Sequence, residues 1–356
     1  MTASRQVGFA IVGCGMIAGV HANAIAASNG GRLVGVHSRS ADRARSFAEK
    51  HRANVHTTDL AELLAHPEVD AVCVTTPSGA HLDAAVAAAN ASKHVVVEKP
   101  LEVTVARAAS LIRACEDNGV RLAAIFQARF GPGARAVKQV VASGRLGRLT
   151  LCGAEVKWYR DQAYYDEGGW KGTVALDGGG ALMNQAIHAV DLLQSLAGMP
   201  AAAKAMTATL AHERIEVEDT AVACLRFPHG VLGTIQASTA AYPGFARAVE
   251  LCGEHGTVRL EDDRIACWRF HDEREEDADV RARLGTANQV ASGASDPKQT
   301  RNAGHEAQIQ DLIDAIYEDR PPRVDGREAL KAVAIIEAIY TSARHGHEQE
   351  IELPWI

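Results

Sequence analysis

Ile11-Val12-Gly13-Cys14-Gly15-Met16-Ile17-Ala18-Gly19 closes the apolar run Val7–Val12 and opens a segment of helical composition. The order read from it is strand, tight turn, helix. Gly13 permits the turn, Gly15 lets backbone approach a pyrophosphate, and small Ala18 lets helix and strand pack closely. The free N–H groups where the helix starts, at Met16 and Ile17, suit an anion. Glycines bound many ordinary turns, so the strand before and the helix after carry the reading.

Outward from this turn, apolar runs alternate with Ala-rich helical segments. The runs are Val7–Val12, Arg32–His37, a weaker one near Asn54–His56, Asp70–Thr75, His94–Val97 and Arg121–Ile125. Such alternation predicts a doubly wound parallel sheet of the Rossmann type over residues 1–126, with ligands at the carboxyl ends of its strands. Three strand-end loops stand out. The second run ends Val36-His37-Ser38-Arg39-Ser40, where an NAD enzyme usually carries an acid for the ribose hydroxyls. Ser38 in that place removes the repulsion of a 2′-phosphate, and Arg39 and Arg43 can pair with one, which tilts the cofactor from NAD towards NADP. The fourth run ends Thr75-Thr76-Pro77-Ser78-Gly79-Ala80-His81, whose hydroxyls can line the crevice. His81 suits helix capping or packing as well as it suits a ligand. The fifth ends Val97-Glu98-Lys99-Pro100, two ionisable residues directly after an apolar run. A lysine there can donate to a hydroxyl or carbonyl oxygen and steady negative charge as hydride moves. Gln127, just beyond the sixth run, joins the cofactor side.

The chain resembles the Gfo/Idh/MocA oxidoreductases, dinucleotide-dependent enzymes acting mainly on sugars, inositols and their derivatives. The glycine turn, Glu98-Lys99-Pro100 and Gly178-Gly179-Gly180-Ala181-Leu182-Met183-Asn184-Gln185-Ala186-Ile187-His188-Ala189-Val190-Asp191 carry the resemblance, which covers nearly the whole chain in order and spacing. It implies that Lys99 and His188 meet at the nicotinamide. The family often has aspartate four residues before the histidine. Asn184 stands there in this chain, able to orient a substrate hydroxyl but unable to accept a proton.

Beyond Gln127 the rhythm changes. A helix near Gly133–Ser143 precedes an alternating strand from Leu149 to about Tyr159. Further strand-like runs follow at Ala203–Leu210, Thr220–Phe227, Val231–Ala237, Ala246–Leu251, Thr257–Leu260 and Ile265–Phe270. Short turns between strands predict a mainly antiparallel open sheet with helices, in a second domain over 127–356. The resemblance implies that this domain binds substrate and makes subunit contacts through its open sheet face. The stretch from Lys157 to Lys171 is rich in Trp and Tyr, and aromatic faces beside hydrogen-bonding groups suit a sugar. Lys157, Tyr159, Tyr165 and Trp170 are the wall residues expected there, with Asn184 and His188. Ala181–Ala197 reads as one amphipathic helix with Asn184, His188 and Asp191 opposite its apolar stripe. Residues 271–304 are expected to be a mobile excursion or lid whose charge run, Asp272 to Asp277, is a solvated face. Two helices, about Glu306–Glu318 and Gly326–His345, end the chain.

The formal charge of −7 argues against a nucleic-acid or anionic-membrane partner. Seven scattered cysteines without a CxxC suggest reduced thiols, no apolar stretch approaches a bilayer span, and the glycine turn leaves little room for a signal peptide, so a cytoplasmic protein is expected. No zinc-spaced cluster is present and no metal is expected. The reading is an NAD(P)-dependent oxidoreductase with a carbohydrate or polyol substrate, forming a homodimer or homotetramer through the open sheet. One rival is a dehydrogenase of a nucleotide-linked sugar, for which Arg160, Lys171 and Arg247 are candidate phosphate partners. The other is a cofactor-binding sensor without turnover, which would need neither Lys99 nor His188.

Overall fold

Six of the apolar runs form one parallel sheet: β1 (Val7–Val12), β2 (Gly31–His37), β3 (Val55–Thr57), β4 (Ala71–Val74), β5 (His94–Val97) and β6 (Leu122–Ala124). Their spatial order is β3-β2-β1-β4-β5-β6 and every pairing is parallel. β1 and β4 are buried throughout, as expected for strands covered by helices on both faces. The strand order reverses between β1 and β4, and a crevice at that point is where such sheets hold a dinucleotide. The structure, a computed structural model, describes residues 6–285 and 303–354.

The chain divides into two units, the described residues of Met1–Gln127 with Arg301–Leu330, and those of Ala128–Thr300 with Lys331–Ile356. Residues 303–330 therefore leave the second domain in which the sequence reading placed them. The reason is apolar burial: Ile309, Leu312 and Ile313 of the helix Ala303–Tyr317 share one core with Val7, Phe9, Ala18 and Ile25. Periodicity reveals such a face but not the core it meets.

The second unit holds an eight-stranded sheet. Its strands are β7 (Leu149–Lys157), β8 (Ala202–Ala208), β9 (Thr220–Arg226), β10 (Leu232–Ser238), β11 (Ala248–Gly253), β12 (Gly256–Glu261), β13 (Arg264–Phe270) and β14 (Gln349–Glu350), in the order β13-β12-β11-β7-β10-β9-β8-β14. Only β7 and β10 pair in parallel. Cys152, Ala154 and Val156 of β7 are buried on the face against which the helix Ile187–Ala197 packs. Leu151, Met206, Val222 and Leu232 are exposed. The cross-strand register puts Leu151 beside Leu232, and Met206 beside Val222.

The segment expected to be an excursion is partly ordered. Glu275–Leu284 is a helix, and Asp277, in the run read as a solvated face, is buried. Its carboxylate accepts from Arg145 Nη1 at 2.7 Å, Trp268 Nε1 at 2.7 Å and the Arg274 N–H at 2.8 Å. Composition could not show this, because the arginine lies far earlier in the chain. Residues 286–302 lie outside the described residues. Among the described residues no helix is long and apolar enough to cross a membrane.

Candidate active site

Val12, His37, Val74 and Val97 are neighbours in register across the first sheet. The residues that follow them, Gly13, Ser38, Thr75 and Glu98, thus share one carboxyl edge. Gly13 has φ +99°, and a Cβ there would stand 2.9 Å from the Thr75 carbonyl oxygen and 3.0 Å from the Thr76 nitrogen, so the turn admits only glycine. Gly15 caps the helix Met16–Ala27, whose first turn has no side-chain cap, and a Cβ at Gly15 would meet nothing within 4 Å. Exposed Met16 and half-buried Ile17 begin the helix. An open glycine before uncapped N–H groups fits a pyrophosphate.

Other edge residues are engaged by the protein itself. Thr75 Oγ1 donates to the Gly13 carbonyl at 2.7 Å and Thr76 Oγ1 to that of Ala80 at 3.1 Å, so both hydroxyls shape loops. Pro77 leads into the short turn Ser78–Ala80. His81 is buried, with Nδ1 2.9 Å from the Pro100 oxygen and Nε2 3.0 Å from the Thr76 oxygen. It ties the β4 and β5 loops together instead of offering a ring nitrogen to a ligand, and burial lowers its pKa. Ser38 is buried and its hydroxyl accepts the Ser40 N–H, while Arg39 and Arg43 are exposed. Gln127 opens the 3-10 turn Gln127–Phe130, with a buried Oε1 that has no hydrogen-bond partner.

Glu98 is the residue whose surroundings the sequence concealed. His21 Nε2 donates to its Oε1 at 2.8 Å, His305 Nε2 stands 3.5 Å from the same oxygen, and the Lys99 N–H donates to its Oε2 at 3.1 Å. Burial works against ionisation, but the two imidazoles outweigh it and hold the carboxyl well below the usual range. His21, Glu98 and His305 also have the composition of a metal site, with ligand atoms within 4.8 Å of one another. Yet Nδ1 of each histidine is buried without a hydrogen-bond partner, whereas metal-bound imidazoles nearly always donate from the other nitrogen. The trio fits better as two Nε2–H imidazoles on one carboxylate, which anchors the turn carrying half-buried Lys99.

In the second unit the triple glycine is sterically required. A Cβ at Gly179 would fall 2.1 Å from the Tyr340 hydroxyl, and one at Gly180 would fall 1.7 Å from the Glu218 carbonyl oxygen. The buried Glu218 carboxyl accepts the N–H groups of Gly180 at 3.0 Å and Leu182 at 2.8 Å. Behind this cap Ala181–Ala186 is a π-helix, and only Ile187–Ala197 is α-helical. The single α-helix expected from periodicity is thus corrected. Wide π turns recur at functional sites, and this one carries Asn184 just before His188. Between Ala181 and Gln194 Asn184 alone is not buried. Asp191, expected on the same polar side, is buried and receives Arg129 through two bonds of 2.7 and 2.6 Å.

Asn184 belongs to a polar chain that sequence reasoning missed. Arg160 Nη2 donates to Gln185 Oε1 at 3.1 Å, Gln185 Nε2 to Asn184 Oδ1 and the Tyr164 hydroxyl at 3.0 Å each, and Asn184 Nδ2 to Asp177 Oδ1 at 2.5 Å. Burial, and then the Asp177 charge, push the Tyr164 hydroxyl up to about 12, so it stays protonated at neutral pH. Lys171 Nζ lies 3.9 Å over the Tyr164 ring. Asp177 beside the triple glycine, and Gln185 beside Asn184, were the available signals.

The expected wall residues fare differently. Tyr165 is buried with its hydroxyl 2.8 Å from Thr239 Oγ1, a packing role. Lys157 lies on the face of β7 opposite Cys152, Ala154 and Val156, paired with Glu155 at 2.6 Å. Strand alternation thus turns it away from the helix that carries His188. Tyr159 packs edge-on against exposed Tyr242, and Trp170 is half-buried. Arg247 is committed to the turn at Asp262, whose carbonyl oxygen it reaches at 3.2 Å.

Residues 7–126 match the oxidoreductase family with an NAD-binding Rossmann fold, and residues 134–259 match the Gfo/Idh/MocA C-terminal domain. The chain belongs to the Gfo/Idh/MocA oxidoreductases. Among solved members of similar structure is the WlbA dehydrogenase from Bordetella pertussis, in complex with NADH and UDP-GlcNAcA. It is 35% identical, with a TM-score of 0.88 over 99% of this chain and 100% of that one. The WlbA dehydrogenase from Chromobacterium violaceum, with the same two ligands, is 31% identical, with a TM-score of 0.88 over 100% of this chain and 98% of that one. A 1,5-anhydro-D-fructose reductase of Ensifer adhaerens is 31% identical over 206 residues, which are 58% of this chain and 61% of that enzyme.

Proposed function

We propose that this Gfo/Idh/MocA oxidoreductase interconverts a secondary alcohol and a ketone on a sugar, an inositol or a derivative of one. The observation that carries the reading is the pair of placements just described: Lys99 on a turn anchored at the carboxyl end of β5, and His188 directly after the π-helical opening of a glycine-led helix. Gly13, Gly15 and the helix start at Met16 and Ile17 would hold the dinucleotide, whose nicotinamide supplies or accepts the hydride. In oxidation His188 takes the proton of the reacting hydroxyl. Lys99 donates to the substrate oxygen and steadies developing alkoxide. Asn184 positions the ring, and in reduction the proton returns along the same path.

For the cofactor we favour NADP, because no carboxylate stands at Ser38 and exposed Arg39 and Arg43 follow it. Both WlbA structures hold NADH, which makes parallel fluorescence titration with NADH and NADPH the deciding experiment. Tighter NADPH binding is expected. Ser38→Asp should then weaken NADPH by about tenfold or more by placing like charges together, while NADH loses little. Tighter NADH binding by the unmodified protein would return both arginines to a solvated role.

A nucleotide-linked sugar is the second reading, supported by the two full-length WlbA neighbours solved with UDP-GlcNAcA. Arg160 and Lys171, close to Tyr164, are the cations it would call on. Turnover assays on matched free and UDP-linked sugars, beside inositols, separate the two. The exposed apolar residues Leu151, Met206, Val222 and Leu232 support a homodimer or homotetramer through the open sheet face, and seven free cysteines support a reducing, cytoplasmic setting.

A further inference from the structure

The polar chain through Asn184 runs in one direction only. At one end Arg160 offers donors and no acceptor, so Gln185 must turn its carbonyl oxygen to the guanidinium. Its amide nitrogen is thereby aimed at Asn184, which must present Oδ1 to it and Nδ2 to Asp177. At the other end the Asp177 carboxylate is an acceptor, with the Gly172 N–H on its second oxygen at 2.8 Å. Amide orientations are often assigned from local fit alone. Here a donor-only end and an acceptor end fix both amides.

We propose that Asp177 is a positioning residue of the active site, holding the Asn184 amide in one orientation towards the substrate. The inference rests on the reading above, in which Asn184 meets the substrate. It also accounts for asparagine at a position where the family resemblance suggested aspartate. Asp177 is buried, and a carboxylate at 184 would place a second anion 2.5 Å from the first. Two carboxyl groups so close cannot both ionise. A neutral amide at 184 and a carboxylate at 177 form a matched pair.

The test exchanges the pair, using Asn184→Asp, Asp177→Asn and the double exchange, with His188→Ala as a control. Lys171, Tyr164, Tyr165 and Tyr340 are among the charged and titratable groups that feel the Asp177 charge, and Arg160 stands at the far end of the same chain. In Asn184→Asp the pair retains a proton in the folded state, so its folded pKa lies above the unfolded one and the matching stability is lost as pH rises. Melting temperatures should therefore match the unmodified protein below about pH 4, the unfolded carboxyl value, and fall progressively below it as pH rises towards neutral. The double exchange should restore the original pH dependence. Asp177→Asn leaves one acceptor oxygen for two donors, Asn184 Nδ2 and the Gly172 N–H, and so loosens the hold on the Asn184 amide. KM for whichever free or UDP-linked sugar turns over should rise about tenfold, the equivalent of one hydrogen bond, with kcat and cofactor KM changed far less.

An Asn184→Asp protein with the unmodified pH dependence would overturn the inference, as would an Asp177→Asn protein that is only less stable and keeps its substrate KM. Full turnover in His188→Ala would instead remove the active-site reading, leaving the melting comparison to judge the pair itself.

Discussion

Lys99→Met is expected to lower kcat by about 10³-fold, and His188→Ala by a similar factor, within the range for a lost acid–base or oxyanion-stabilising group. Methionine keeps most of the apolar stem of the lysine while removing its charge and donors. The turn itself should persist, since Glu98 binds it through the Lys99 backbone N–H and is held in turn by His21 and His305. Cofactor titration and melting temperature should therefore stay near those of the unmodified protein while turnover collapses. If both variants turned over near-normally with intact folding, neither residue would be catalytic. The chain would then act through other groups or serve as a dinucleotide-binding sensor.

Arg145→Ala is expected to destabilise the second unit by about 3–5 kcal/mol, the range for removing one partner of a buried ion pair. Asp277 would lose its cation while remaining buried beside Trp268. The arginine hydrogen bond is the main reason that the Asp277 carboxyl lies well below its ordinary range, with burial acting the other way. A depressed folded pKa contributes stability that is complete above the unfolded value of roughly 4 and is lost as pH falls through the folded one. The melting-temperature gap between variant and unmodified protein should thus be widest at neutral pH and narrow below about pH 4. A gap that stayed constant down to pH 2 would show that lost packing against Phe270, not the ion pair, is responsible.

The first unit was largely legible because its signals are local. Each strand is a short apolar run, each helix an amphipathic segment, and the glycine turn announces itself by spacing. The same holds for Glu98-Lys99-Pro100 at the end of β5, and, to within a few residues, for β7 to β13 of the second sheet, whereas the two-residue β14 carries no run of its own. The wall residues were harder. Lys157 and Tyr165 sit in an aromatic-rich stretch that suits a sugar, yet one points to the other face of its strand and the other closes on Thr239. Composition names residue types that fit a ligand, but facing is set by which side of a strand a helix covers.

The sequence by itself determined the order of elements, the parallel and mainly antiparallel sheets, and the elements on which Lys99 and His188 stand. Those follow from periodicity and turn chemistry, which act over a few residues. Only the tertiary structure decided that His21 and His305, from two helices at opposite ends of the chain, converge on Glu98, that Ala303–Tyr317 joins the first core, and that Glu218 caps a π-helix. It also decided that Arg160, Gln185, Asn184 and Asp177 share one polarised chain. A buried polar group must find a partner, but which one it finds is settled by the packing of distant segments, and no local pattern in the sequence records that choice.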